Sequence, residues 1–180
     1  MHADKKTDKA LTKFACDDKY RTNLYDLYVV TNGTANVTNG HVAAYWATTR
    51  ENGTYRISTG EPTDMQGADV MHCLPSIGGN RAYKGKIQLP VDAKKARYAL
   101  VAFDDAVAWI CLSQHEQLPA AAKLITAFDG KYLAAVSALL GDEVHIEVTE
   151  ELGASLFSKA PITDYKQTDL FAIVMSLRER

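Results

Sequence analysis

The side chains best suited to chemistry are two Cys–His pairings, a scatter of histidines and three acidic pairs. His72-Cys73 and Cys111-x-x-x-His115 supply four possible zinc ligands. A structural zinc site gathers closely spaced ligands, and neither pairing has the Cys-x-x-Cys spacing that brings two thiolates to one metal. No metal and no cofactor is expected. His2, His41, His72, His115 and His145 have no acidic or nucleophilic partner at a diagnostic spacing, and no Gly-x-Ser-x-Gly elbow exists. His145 stands inside an alternating strand and reads as structural. Asp17-Asp18, Asp104-Asp105 and Glu150-Glu151 fall in turns or loops, where solvated carboxylates need no catalytic role. Gly78-Gly79 lacks the Lys-Ser/Thr that follows in a phosphate-binding loop. An enzyme working through His41 or His72 is the least favoured class. The expectation is a protein that acts by binding, with no catalytic residue.

The elements that must position any binding surface begin with a helix over 4–17. Placed at 100° per residue, Leu11, Phe14 and Ala15 share one side and Lys6, Lys9 and Lys13 the other. Leu24 to Val30 reads as a strand that ends at the turn Asn32-Gly33. Ala35 to Thr38 continues it to a second turn at Asn39-Gly40, and Val42 to Ala47 and Tyr55 to Ser58 follow as further strands. From Thr59 to Gly85, glycines and prolines punctuate the chain, which predicts a long irregular insertion. Lys86 to Leu89 resumes regular structure, and Tyr98 to Phe103 with Val107 to Leu112 forms a hairpin. Leu118 to Ala127 is compatible with a helix that has Pro119 in its first turn.

Asp129 to Leu140 is the clearest helix, with Asp129 as N-cap, Leu133, Val136, Leu139 and Leu140 on one stripe, and Gly141 to end it. Val144 to Val148, Ser155 to Phe157 and Leu170 to Leu177 complete the strands. Helices separated by runs of antiparallel strands indicate an α+β fold.

Composition bounds the alternatives. The 180 residues are 47% hydrophobic and 23% charged, enough apolar material for a core, and one domain over 1–180 with an insertion at about 59–85 is the expectation. The polar start, MHADKKTDKA, has no apolar stretch of a secretory signal, and no run is long enough to span a bilayer. A cytoplasmic location is expected, with no membrane partner. Cys16, Cys73 and Cys111 are odd in number and far apart, which predicts reduced and mostly buried thiols. The Asn-x-Thr sequons at Asn32, Asn36 and Asn52 lack that secretory context, and Asn32 and Asn52 read as turn residues. With a formal net charge of −2, nucleic-acid binding needs a local basic surface.

Two segments resemble the bacterial DNA sliding clamp, the β subunit of DNA polymerase III. The first runs from Phe14-Ala15 through Arg21, Leu24 and LYDLYVV to Val37-Thr38-Asn39-Gly40-His41, where the clamps have a helix, an Arg-containing turn, a strand and a Thr-Asp-Gly-His-Arg-Leu hairpin. The second joins Phe128-Asp129-Gly130-Lys131-Tyr132-Leu133 and the Ala-rich helix to the ending Ala172-Ile173-Val174-Met175-Ser176-Leu177-Arg178, similar to the clamps' last helix and their Val-Met-Pro-Met-Arg strand. Asn39, Val42 and Ser176 replace the clamps' Asp, Arg and Pro.

The resemblance implies a DNA clamp fold, with two helices packed on antiparallel sheets. Clamp helices face duplex DNA, which assigns Lys6, Lys9, Lys13, Lys19, Arg21 and Lys131, with Lys5, to phosphate contacts that are sequence-independent and salt-sensitive. Clamps also bind partner peptides beside the two motifs, which assigns Thr38, Gly40, His41, Val174 and Met175 to a peptide pocket. Clamps string three domains on a chain and close as a dimer, so a chain of one domain needs about six copies for a ring of that size. The implied function is a self-associating processivity protein that tethers a polymerase or another replication protein to DNA. The alternative is a clamp-fold interaction module, or a regulator, that does not encircle DNA.

Overall fold

The computed structural model describes residues 9–76, 79–90, 96–104, 106–112, 118–149 and 153–177. Their contacts cluster into two compact units, 1–77 with 161–173 and 78–160 with 174–180. The first unit holds strands β1 (Leu27–Thr31), β2 (Thr34–Thr38), β3 (Val42–Ala47) and β4 (Gly53–Arg56). β1 pairs antiparallel with both β2 and β4, and β2 with β3; the turns Asn32-Gly33 and Asn39-Gly40 join β1 to β2 and β2 to β3. Thr31-Asn32-Gly33-Thr34 turns tightly because Asn32 and Gly33 both take positive φ, 51° and 80°, as hairpins of this hand require.

Nearly every residue of β1, β2 and β3 is buried, so their sheet is covered on both faces. That explains why these strands are apolar runs and not simple alternations. On one face Tyr28 stacks on Tyr55 at 5.2 Å and tilts against Trp46 at 5.4 Å. On the other face, Val29, Asn36, Tyr45 and Thr54 sit opposite one another by strand register.

The segment expected as an irregular insertion covers that second face. It carries a single 3-10 turn, Met71–Cys73, and an isolated bridge from Pro62 to Tyr55. Asn36 is fully buried, and its amide donates to Val29 O (3.4 Å) and Asp69 Oδ1 (3.3 Å) while its Oδ1 accepts from Val70 N. Asp69 Oδ2 takes the Thr31 hydroxyl at 2.9 Å, and the Tyr45 hydroxyl donates to Val70 O at 3.0 Å. Burial, the nearby Cys73 and the Asp69 charge push the Tyr45 phenol far above its ordinary range, so it acts as a fixed donor. Gly67 permits the close approach: a Cβ there would stand 2.7 Å from Val29 Cγ2. Tyr45 also stacks on Phe171 at 4.8 Å, and Tyr165 donates to Pro75 O.

The second unit contains β5 (Arg81–Gln88), β6 (Arg97–Phe103), β7 (Ala106–Cys111), β8 (Lys123–Asp129), helix α1 (Gly130–Leu140), β9 (Glu143–Thr149) and β10 (Ala154–Ser158). The last strand, β11 (Leu170–Met175), passes from the first unit into the second at Val174. β9 pairs antiparallel with β5 and β10, and β6 with β7 and β8. Phe128, fully buried, meets Phe157 at 5.7 Å and Trp109 at 6.0 Å, and Trp109 Nε1 donates to Gln88 O. α1 matches its expected bounds: Asp129 Oδ1 accepts from Lys131 N at 3.0 Å, and Gly141 ends the helix at φ 92°.

Two expectations need correction. The stretch 118–127 is not a helix; its second half enters β8, because Leu124 and Thr126 to Phe128 pair along β6, whereas Pro119 only starts a turn closed by Ala122 N. Regular structure returns at Arg81, so β5 takes the end of the expected insertion: Arg81, Tyr83, Gly85 and Ile87 alternate half-buried with exposed neighbours. All three cysteines are free; Cys16 is buried and Cys111 half-buried, but Cys73 is exposed.

On β9, Glu147 is 5% exposed and is held by Arg81 Nε (3.0 Å) and Lys84 Nζ (2.8 Å) across the β5 register. Burial alone would raise its pKa, but these two cations outweigh it and hold the carboxylate below its ordinary 4.5. His145, two residues earlier, is also lowered, from its ordinary 6.5: burial and the Lys84 charge outweigh Glu147.

Removing the buried amide tests the cover of the first unit. Asn36→Ala strands the Asp69 loop and costs about 2 kcal/mol, read by urea unfolding, with faster proteolysis within 60–76. The two titrations act in the same direction. A depressed carboxylate stabilises the fold above its unfolded pKa, and that contribution is lost as pH falls through the folded value. A depressed histidine likewise costs stability as pH falls below 6.5, because the unfolded chain takes up the proton more readily. Glu147→Gln therefore flattens the loss of stability below pH 4.5 and leaves the loss that starts near 6.5 in place, in urea melts across pH.

Candidate binding surfaces

The turn between β2 and β3 brings Thr38, Gly40 and His41 together through local hydrogen bonds. Thr38 Oγ1 donates to Val42 O and accepts from Gly40 N, both at 2.9 Å. Asn39 Oδ1 accepts from His41 N (2.9 Å) and Val42 N (3.1 Å), a side chain standing in for backbone acceptors as Asx turns do. Gly40 has φ +91°, which a residue with a Cβ adopts at a cost. The outcome is an exposed His41 on a turn whose shape is fixed by its own side chains. Arg21 Nη1 reaches the same turn, donating to Asn39 O at 3.3 Å.

The basic residues are placed in two groups. Lys9 and Lys13 are exposed on a helical turn at 9–11 and the 3-10 turn Thr12–Phe14, opposite buried Leu11 and Phe14; the helix expected to reach Asp17 stops at Phe14, where Ala15 turns extended. Lys5 and Lys6 lie outside the described residues. Lys19 lies 5.5 Å over the ring of Tyr20, which is 84% exposed, and Tyr25 is also exposed. Exposed Asp17 and Asp18 share this neighbourhood, so its net basicity is small. In the second unit Lys131 starts α1, with its ammonium 3.6 Å from Asp129 Oδ2 and 4.7 Å over the Tyr132 ring. It is the only cationic residue of α1, whose remaining outward positions are Tyr132, Ala134, Ser137 and Ala138.

β11 is buried without alternation from Phe171 to Val174 and emerges at Met175, which is 38% exposed. The strand expected to run to Leu177 ends at Met175, and Ser176 and Leu177 follow it outside the strand. Leu177 N donates to Ala127 O, and the hydroxyls of Thr126 and Ser176 meet at 2.6 Å. Those residues line a groove of about 390 Å³ with Leu124, Val148 and Gly153.

Among the described residues no three His, Cys, Asp or Glu side chains gather as metal ligands, and no helix is long and apolar enough to cross a membrane. His115 lies outside the described residues. No protein-family model and no curated protein matches the sequence. Solved structures do match. A Caulobacter crescentus β sliding clamp aligns with 97% of this chain and 63% of its own at a TM-score of 0.64 and 13% identity.

The fold is that of the bacterial sliding clamp. The Borrelia burgdorferi DNA polymerase III β subunit, solved with a natural product, aligns at a TM-score of 0.62 and 10% identity, over 97% of this chain and 62% of its own. The Helicobacter pylori β clamp bound to a DNA ligase peptide aligns at 0.62 and 8%, over 97% and 63%. The expected α+β clamp architecture is therefore present, at identities where the fold is conserved and side chains have diverged. The chain spans about 63% of the length of the clamps it matches.

The positive φ of Gly40 sets a test of the turn. Gly40→Ala meets no atom closer than 3.8 Å, so its effect isolates backbone strain: a loss of about 1 kcal/mol in urea unfolding, with faster amide exchange at His41 and Val42.

Proposed function

We propose that this protein acts by binding, as a clamp-like component that self-associates on duplex DNA and tethers a replication protein. The observation that carries the reading is the clamp fold over 97% of the chain. Exposed Lys9, Lys13, Lys19 and Lys131 supply phosphate contacts, with Lys6 as a further candidate. Thr38, Gly40 and His41 in the first unit, and separately Val174 and Met175 in the second, are the candidates for contacting a partner peptide, the class of ligand carried by the Helicobacter clamp. A polymerase or another replication protein would deliver that peptide. Two compact units per chain, and a span of about 63% of a three-domain clamp, favour about three copies in a closed ring over the six that one domain per chain would need.

A second reading is favoured by a specific observation. α1 carries one lysine, already paired with Asp129, and the whole chain has a net charge of −2. A clamp-fold module that binds a protein partner without encircling DNA, acting as a regulator, fits that weak basic surface.

Mass in solution and duplex binding against salt separate the readings. The ring reading expects an oligomer at a multiple of 19.8 kDa. It also expects an affinity for duplex oligonucleotide that falls steeply between ~50 and ~200 mM salt, with a log–log slope about 2 smaller in the Lys9→Ala/Lys13→Ala variant. A monomer that ignores DNA at low salt overturns it and leaves the partner-binding module, which is then tested by recovery of replication proteins in a pull-down.

A further inference from the structure

We infer that Arg21 is a positioning residue for the His41 turn and not a phosphate contact. The inference deepens the peptide-surface reading above and rests on it for its functional meaning. Arg21 sits in a tightly closed stretch. Its N–H donates to Asp18 O at 3.0 Å, and its carbonyl accepts from Leu24 N and Tyr25 N at 2.9 and 3.0 Å. Asp18 Oδ1 fixes the start of that stretch by accepting from Tyr20 N. The backbone of Arg21 is thus anchored on both sides, which limits where its side chain can reach.

What it reaches lies 18 residues away: Nη1 donates to Asn39 O at 3.3 Å. A Cβ built on Gly40 would stand 3.8 and 4.0 Å from the two terminal guanidinium nitrogens and 3.9 Å from Leu24 Cδ1. Arg21 and Leu24 therefore form a floor under Gly40. Asn39 is the residue whose side chain holds His41 N and Val42 N, so a donor on its carbonyl oxygen steadies the peptide unit from which both bonds are organised. A planar guanidinium suits this task, because it lies flat against a glycine and still points one N–H at a carbonyl. A residue used only for phosphate would extend into solvent and leave Asn39 O to water.

The full-length chain carries the test. Amide exchange at Gly40, His41 and Val42 is compared in the wild type, Arg21→Ala and Arg21→Lys, together with exchange along β2 and the salt dependence of duplex binding. The expected result is exchange about fivefold faster at those three amides in Arg21→Ala, the size of one lost hydrogen bond. Arg21→Lys should lie closer to the wild type, β2 amides should stay protected, and the salt slope should not change. Unchanged exchange in Arg21→Ala overturns the inference. So does faster exchange spread through β2, which marks general destabilisation, or a salt slope reduced by about 1, which marks a phosphate contact. If the protein does not bind DNA at all, the ring reading fails while the exchange measurement still decides the role of Arg21.

Discussion

The first unit is organised by one requirement: a sheet buried on both faces must satisfy every polar group it hides. Asn36 is the sharpest case, a primary amide with no exposure in the middle of β2. Left unpaired it would cost a few kcal/mol, and the sheet alone offers only Val29 O. Asp69 and the Val70 amide provide the remaining partners, so a stretch with almost no regular structure becomes the second cover of the sheet. Once Asp69 is placed there, Thr31 and Tyr45 hydroxyls have partners too, and Gly67 must be free of a side chain to let the backbone down onto Val29.

The second unit meets the same requirement with charge. Glu147 is buried beside Arg81 and Lys84, which compensate its desolvation and tie β5 to β9. Such a pair adds little net stability over an apolar substitute but is costly to break. The units differ in what meets the carboxylate: an amide and a hydroxyl reach Asp69 in the first, two cations reach Glu147 in the second.

How far the sequence foretold this depends on whether the deciding contact is local. Helix α1 was legible because Asp129, the leucine stripe and Gly141 act within twelve positions or so. The hairpins at Asn32-Gly33 and Asn39-Gly40 were legible for the same reason. β8 was not: Pro119, three alanines and Lys123 resemble a helix start, and only pairing with β6 makes Leu124 to Phe128 extended. Only the end of β5, from Lys86, was legible; its start was hidden because Arg81 and Gly85 take inward positions beside Tyr83, so no hydrophobic alternation marks it. Among site residues, motif likeness located the Thr38–His41 turn. It grouped Arg21 with the lysines by charge; the bond from Arg21 to Asn39 O, 18 residues away, was not legible in the sequence.

The same turn has a consequence for chemical ageing. An Asn-Gly step is where a protein chain most readily attacks itself, the glycine nitrogen closing on the asparagine side chain and expelling ammonia. At Asn39-Gly40 the attacking nitrogen gives its hydrogen to Thr38, and the asparagine carbonyl is engaged by two backbone donors. Ring closure requires the side chain to leave these partners and swing onto the glycine nitrogen. The bonds that shape the turn therefore also slow its loss by deamidation in a long-lived molecule.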